Sequence, residues 1–216
     1  MANWLDCCPK ENQKIIKLCL VLLAIVVLAL AVTFSTISFA VNPHIKANVE
    51  DARLNTFAFA VDVSGTTASF FNYNLSVALT IRNPNKVIGI KYSKPLVAVV
   101  AFHDRRIRNF TVLVNGYKQG RGKVKHIVLP IAGKISSDLL GDAVADDFKK
   151  QNATGLFNLE LRLSGQMINV HPFALHRKHE LGMSCPLRLQ LAPPGPEVVV
   201  FHEVNCKPDK PDKIYF

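Results

Sequence analysis

The stretch NLSVALTIRNPNKVIGIKYS, residues 74–93, decides the fold. Leu75, Val77, Leu79 and Ile81 alternate with Asn74, Ser76, Ala78, Thr80 and Arg82, the period of two expected of a half-buried strand. Pro84 then fixes φ, disfavours helix at Asn83 and suits the second position of a tight turn. Asn83 and Asn85 can bond their own backbone, and Gly89 is read as a bulge or close backbone approach where the next strand starts. On this reading Asn83-Pro84-Asn85-Lys86 is a turn and carries no reaction centre.

The same periodicity extends outward from that stretch. In 107–114, Phe110, Val112 and Val114 alternate with Asn109, Thr111 and Leu113; in 156–164, Phe157, Leu159, Leu161 and Leu163 alternate with polar residues. Further runs at 45–54, 95–102, 124–131, 166–175 and 185–191 predict a mainly β protein, a sandwich of about seven to eight strands. One segment, 136–150, breaks the pattern. There Leu140, Val144 and Phe148 recur every four residues, with Leu139 and Ala143 beside them, so one amphipathic helix is expected. Ser136 or Ser137 could cap it, Asp138 suits its positive end, and Lys149 and Lys150 suit its negative end.

Before the strands, Leu18 to Val41 is a run of 24 residues without a charge. A helix of that length reaches about 36 Å, enough for a hydrocarbon core of about 30 Å, and it exceeds the apolar core of a signal peptide. Lys10, Lys14 and Lys17 precede it, which predicts a cytoplasmic amino terminus and an outward carboxyl-terminal domain. The expected organisation is a tail over 1–17, a transmembrane helix over 18–41, a sandwich over 42–192 and a Pro-rich extension over 193–216. VVVF at 198–201 could add a strand tied back by Cys206, and KPDKPDK reads as a solvated tail.

Several residues follow from that topology. Asn74, Asn109 and Asn152 head Asn-x-Ser/Thr sequons beyond the span and are candidate glycosylation sites, with Asn74 and Asn109 on outward faces. Cys185 and Cys206 are the only cysteines on that side, and an oxidising compartment would let them pair. Such a bond would contribute about 3 kcal/mol in the chain-entropy model. Cys7 and Cys8 are either palmitoylated or plain cytosolic thiols. Self-association through 18–41 stays open, although it has no Gly-x-x-x-Gly face.

NPNKVIGIKYS at 83–93, NGYKQGRGK at 115–123 and GLFNLELRLSG at 155–165 together resemble three successive motifs of the plant harpin-induced-like proteins. These are relatives of a non-race-specific disease resistance protein, also grouped as late embryogenesis abundant hydroxyproline-rich glycoproteins. The motif residues are Asn83, Pro84, Asn85, Lys86, Gly89, Asn115, Gly116, Tyr117, Gln119 and Gly120. The resemblance covers roughly 40–192 and implies a sandwich of the late embryogenesis abundant type 2 class. It also implies a single-pass plasma-membrane setting and roles in pathogen and stress responses. Val87 stands where the family often carries Arg or Lys. The wall-adhesion motif Asn-Gly-Asp of some members is absent, its nearest counterpart being Asn115-Gly116-Tyr117.

Charge gives the remaining clue. From Asn42 onward there are 23 Lys and Arg against 14 Asp and Glu, and between Arg82 and Lys125 there are 11 basic residues and one acid, Asp104. Arg105, Arg106, Arg108, Lys118, Arg121 and Lys123 are expected to form one basic patch, for acidic wall polysaccharide or anionic lipid headgroups, or else a solubilising surface. Nucleic acid is not an expected partner on the outer side of a membrane, whereas protein partners are compatible with the domain.

No nucleophile elbow, zinc-protease helix, Cys-x-x-Cys pair or phosphate loop is present. His176, His179 and Glu180, and Asp142, Asp146 and Asp147, read as solvated polar residues rather than metal ligands. No catalytic residue, metal or cofactor is therefore expected, and the protein is read as a non-enzyme. The alternative to a polyanion-binding surface is an apolar groove between the sheets that accepts a lipid or another hydrophobic ligand.

Overall fold

The computed structural model describes residues 10–40, 45–61, 69–86, 88–136, 141–170, 178–193 and 200–209. The chain divides into two compact units, Met1–Asn42 and Pro43–Phe216. The first contains α1, Lys10–Ala40. Within Gln13–Thr33 the most apolar 18-residue window has a mean hydropathy of 3.2 and none of it is buried, so the segment is long and apolar enough to cross a membrane. The same length and composition also suit a signal sequence. Cys7 and Cys8 lie outside the described residues.

The second unit is mainly β. Its elements are β1 Lys46–Val61, β2 Ser69–Arg82, β3 Gly89–Phe102, β4 Arg105–Leu113, β5 Lys118–Gln119, β6 Val124–Ser136, α2 Asp142–Thr154, β7 Leu156–Val170, β8 Lys178–Gln190, β9 Val204–Asn205 and β10 Lys207–Pro208. One sheet runs β6-β2-β1-β9; the other runs β10-β8-β7-β3-β4, with β5 also on β3. The alternation read from the sequence sets which face is covered. Leu75, Val77, Leu79 and Ile81 of β2 are buried, as are Phe157, Leu159, Leu161 and Leu163 of β7. These residues meet across the two inner faces, the usual core of a sandwich.

At one end that core is aromatic. The Phe57 ring centroid lies 4.4 Å from Phe71, 4.8 Å from Phe157 and 5.2 Å from Phe102, each edge to face. Helix α2 is seated on this cluster through Phe148, whose centroid is 4.8 Å from that of Phe59 and 5.4 Å from that of Phe71. Val144, one turn earlier, is buried too, so the apolar spacing of four does seat a helix.

The helix ends differ from the expectation. Ser136 closes β6, and α2 begins only at Asp142, after Gly141 at φ 83 and with no side-chain cap. Residues 137–140, with Ser137, Asp138, Leu139 and Leu140, lie outside the described residues. Lys149 and Lys150 fall inside the helix, whose end is set by Gly155 at φ 68.

Three strand expectations are also corrected. First, 156–164 and 166–175 are not two strands, because β7 runs unbroken to Val170. Gly165 lies opposite an irregularity of β3 between Lys94 and Val97. A Cβ there would come within 3.3 Å of the Pro95 carbonyl and the Leu96 Cα, so the missing side chain makes room for the bulge. Gly89 itself makes only ordinary contacts, and the bulges of β3 lie after Tyr92.

Second, β4 carries two register shifts against β3, between Leu96 and Val97 and between Val100 and Ala101. They reset the alternation, so Ile107 and Leu113 are buried, Phe110 and Val112 are half-buried, and Val114 is exposed. Third, the carboxyl-terminal segment is built into the sheets. Val204–Asn205 pairs with β1, Lys207–Pro208 pairs with β8, and the Asp209 amide donates to the Gly182 carbonyl at 2.9 Å. Residues 200–201 are not strand, and 194–199 and 210–216 lie outside the described residues.

Candidate interaction surface

Two of the motif residues, Asn83 and Gln119, form a buried polar joint between the two sheets. Asn83, at the end of β2, is completely buried. Its side-chain amide donates to the carbonyls of Ile88 at 2.9 Å and Gly120 at 3.1 Å, and its carboxamide oxygen accepts from the Asn85 amide at 3.0 Å. Gln119 of β5 donates to the carbonyls of Ile81 at 2.9 Å and Lys123 at 3.0 Å, and it accepts from the Tyr92 hydroxyl at 3.1 Å. The side-chain polar groups of Asn83, Gln119 and Tyr92 thus find partners within the joint, as burial requires.

The backbone completes the joint. The Asn83 amide donates to Lys123, and the Gly122 amide to Asn85. The Gly116 amide donates to Tyr92, and the Tyr92 amide to Tyr117. Gly116 sits at φ 82, a conformation that glycine adopts without strain. Burial pushes the Tyr92 phenol well above its ordinary value, and Tyr117 adds to the shift. Pro84 is half-buried in the turn and Lys86 is exposed. Asn115 and Gly116 make the turn between β4 and β5. The first two motifs therefore tie the end of β2 to the start of β3 and to β5. The sequence reading identified the turn at 83–86 but not its partner 37 positions later, because hydrogen bonds across sheets leave no period in the sequence.

The six basic residues do not form one patch. All are exposed, but Arg105, Arg106 and Arg108 pair with Phe102, Ala101 and Val100 at one end of β3, whereas Lys118 pairs with Lys91 near the other end. The interval from Lys91 to Val100 along β3 corresponds to about 30 Å. Arg121 and Lys123 belong with Lys118, in the turn leading to β6. Arg105–Arg108 thus mark one end of the larger sheet, the distal end, and Lys118–Lys123 the other, the proximal end. The distal arginines lie on an edge strand that also carries bulges, and Arg108 covers the Phe110 ring at 5.7 Å. Charge and bulges on an edge prevent pairing with another chain, a role that needs no ligand.

Beside the distal arginines, a cavity of about 350 Å³ opens on the outer face of the larger sheet. Val97, Val99, Ser164 and Gly165 line it with Lys94, Arg106, Asn109 and Arg162. Arg162 is held by Glu160 and by Asp104, and Ser184 donates to the other oxygen of Glu160. Burial works against the Arg162 charge, but the bonds from Glu160 and Asp104 outweigh it and raise its pKa. Asp104 reaches this cluster from a two-residue hairpin in which His103 and Asp104 both have positive φ.

Asn109 stands at the rim of the cavity, and Asn74 and Asn152 are exposed on β2 and on the last turn of α2. Cys185 and Cys206 form a disulfide, with Cα atoms 4.3 Å apart, that ties the turn between β9 and β10 to β8. Asp146 is 3.3 Å from Lys149, and Asp147 is bound by His103 and Gln151. Among the described residues no group of three or more His, Cys, Asp or Glu could hold a metal ion. His176 lies outside the described residues, while His179 and Glu180 stand on β8.

No family model matches the chain. NDR1/HIN1-like protein 2 of Arabidopsis thaliana is 31% identical over 122 residues, covering 56% of this chain and 47% of that protein. The chain thus spans about half the length of this curated relative. Among solved structures, a solution structure of an Arabidopsis thaliana protein aligns with 68% of this chain and 81% of its own, at 13% identity and TM-score 0.37. A crystal structure of an Archaeoglobus fulgidus protein aligns with 67% of this chain and 99% of its own, at 8% identity and TM-score 0.28. In its three ordered motifs, and over the 122 residues aligned with this Arabidopsis relative, the chain is similar to the harpin-induced, non-race-specific disease resistance-like proteins.

Proposed function

We propose that the protein is a single-pass plasma-membrane protein, with its amino terminus cytoplasmic and its sandwich outside the cell. The sandwich is a non-enzymatic interaction domain of the late embryogenesis abundant type 2 class that serves plant defence and stress responses. It works by surface contact, presenting exposed cations to acidic wall polysaccharide or anionic headgroups. One observation carries the reading: an apolar helix long enough to span a bilayer precedes a folded unit closed by a disulfide. A disulfide of this kind persists in an oxidising compartment. The defence role is carried over from the NDR1/HIN1-like relative.

The hydrophobic-ligand reading is weaker. The space between the sheets is occupied at one end by the rings of Phe57, Phe71, Phe102 and Phe157 and elsewhere by aliphatic side chains such as Leu75, Leu79 and Leu161, all at most 2% exposed, so an acyl chain would have to displace them.

Glycosidase and protease treatment of intact plant cells tests the topology. The expected result is a glycan-dependent mobility shift, lost when Asn74, Asn109 and Asn152 are all replaced by Gln, with a carboxyl terminus open to protease. A protected, unglycosylated terminus would overturn the reading. Polyanion contact is tested by retention on pectate and on anionic liposomes at low salt, with charge reversal at either basic end expected to reduce it.

A further inference from the structure

The proximal end of the sandwich gathers far more positive charge than the motif lysines alone. In the smaller sheet, Lys46 pairs with Arg82, and Lys125 lies one step along on β6. In the larger sheet, Lys118 pairs with Lys91, and β8 begins at Lys178, opposite Ile168. The turns between the sheets add Lys86, Arg121 and Lys123. Among the described residues, Glu50, Glu203 and Glu180 border this end and each is already engaged. Glu50 meets His126 at 3.4 Å, Glu203 accepts from Asn48 at 2.6 Å, and Glu180 accepts from Gln166 at 2.6 Å.

Two exposed apolar side chains stand among these cations. Val124, paired with Arg82, is 43% exposed, and Val170, paired with Gly89, is 39% exposed. Cations mixed with exposed apolar groups suit the interface of a bilayer, where headgroups meet the first methylenes. The chain also enters the sandwich at this end. Lys46 is six positions after Ala40, and six extended positions span at most about 20 Å.

We propose that the proximal end docks onto the bilayer that carries the anchor, its cations contacting the phosphates of acidic lipid headgroups. The inference rests on the membrane-anchor reading above and narrows its polyanion to lipid at this end. Each Lys or Arg close to an acidic surface strengthens the contact about fivefold, and salt screens the effect over about 8 Å at physiological ionic strength.

The test is amide hydrogen exchange on the full chain in nanodiscs of phosphatidylcholine, with and without phosphatidylinositol. Acidic lipid should slow exchange over 118–125 by about fivefold or more, and high salt should restore it. Replacing Lys118, Arg121 and Lys123 by Gln should abolish the slowing, whereas replacing Arg105, Arg106 and Arg108 by Gln should leave it intact. Equal exchange in the two lipids, with 18–41 still shielded, would overturn the docking and spare the anchor. Slowing by added polygalacturonate in phosphatidylcholine discs, with none from phosphatidylinositol, would assign this end to polysaccharide instead. Exchange of 18–41 at solution rates would overturn the anchor reading and the docking together.

Discussion

The Asn83 carboxamide donates to the Gly120 carbonyl at 3.1 Å, joining the turn after β2 to the turn before β6 across 37 positions of chain. The two turns belong to different motifs, so this bond ties the first motif to the second. Asn83→Ala would leave two carbonyls and one amide without this partner in a buried setting. The expected loss is about 3 kcal/mol, read as a lower denaturant midpoint with an unchanged slope. Asn83→Asp should lose as much, because a carboxylate accepts from Asn85 but cannot donate to Ile88 or Gly120. A variant as stable as the parent would refute the joint.

Tyr92 gives a pH dependence of defined sign. Its phenol is raised above the ordinary value of 10.0, chiefly by burial. The unfolded chain therefore ionises first as pH climbs. The stabilisation is complete below about pH 10 and is lost above it, since only the unfolded state can release this proton cheaply. Unfolding midpoints between pH 8 and pH 11 should fall more steeply for the parent than for Tyr92→Phe. At neutral pH the variant should be weaker by about 1 kcal/mol, having lost its bond to Gln119.

The disulfide makes a separable prediction. Cys206→Ala together with Cys185→Ala should cost about 3 kcal/mol, and amides from 204 to 209 should exchange much faster. Protection in β2 and β7 should persist under native conditions, because neither strand pairs with that segment. Uniform deprotection would show that the segment is not an independent closure.

Phe148→Ala removes the ring that fastens α2 to Phe59, Phe71 and Phe157. A cost of about 3–5 kcal/mol is expected, or roughly 10 °C in Tm, with a loss of near-ultraviolet dichroism from the aromatic cluster. Phe148→Leu should recover part of this, since much of the apolar volume returns.

How much of this was legible depended on the range of the interaction involved. The strands around 75–81 and 157–163 and the turn at 83–86 could be read directly, because alternation and proline act over neighbouring residues. The helix was visible from Val144 and Phe148, but its start was not. Gly141 carries no side chain to cap it, so the serines upstream drew attention instead. The bulges of β4 are invisible in sequence because they answer to the partner strand, and they moved the inward face from Val114 to Ile107 and Leu113. The basic residues were correctly exposed yet wrongly grouped. Closeness in sequence between Arg108 and Lys118 concealed their pairing with opposite ends of β3.

Synthesis proceeds from the amino terminus, so the way β9 and β10 flank Cys206 has a temporal consequence. The edges of β1 and β8 stay open until residues 204–208 have emerged, however well the earlier strands have paired. Newly made molecules therefore pass through an unlatched stage, and the oxidant that joins Cys185 to Cys206 sets when that stage ends.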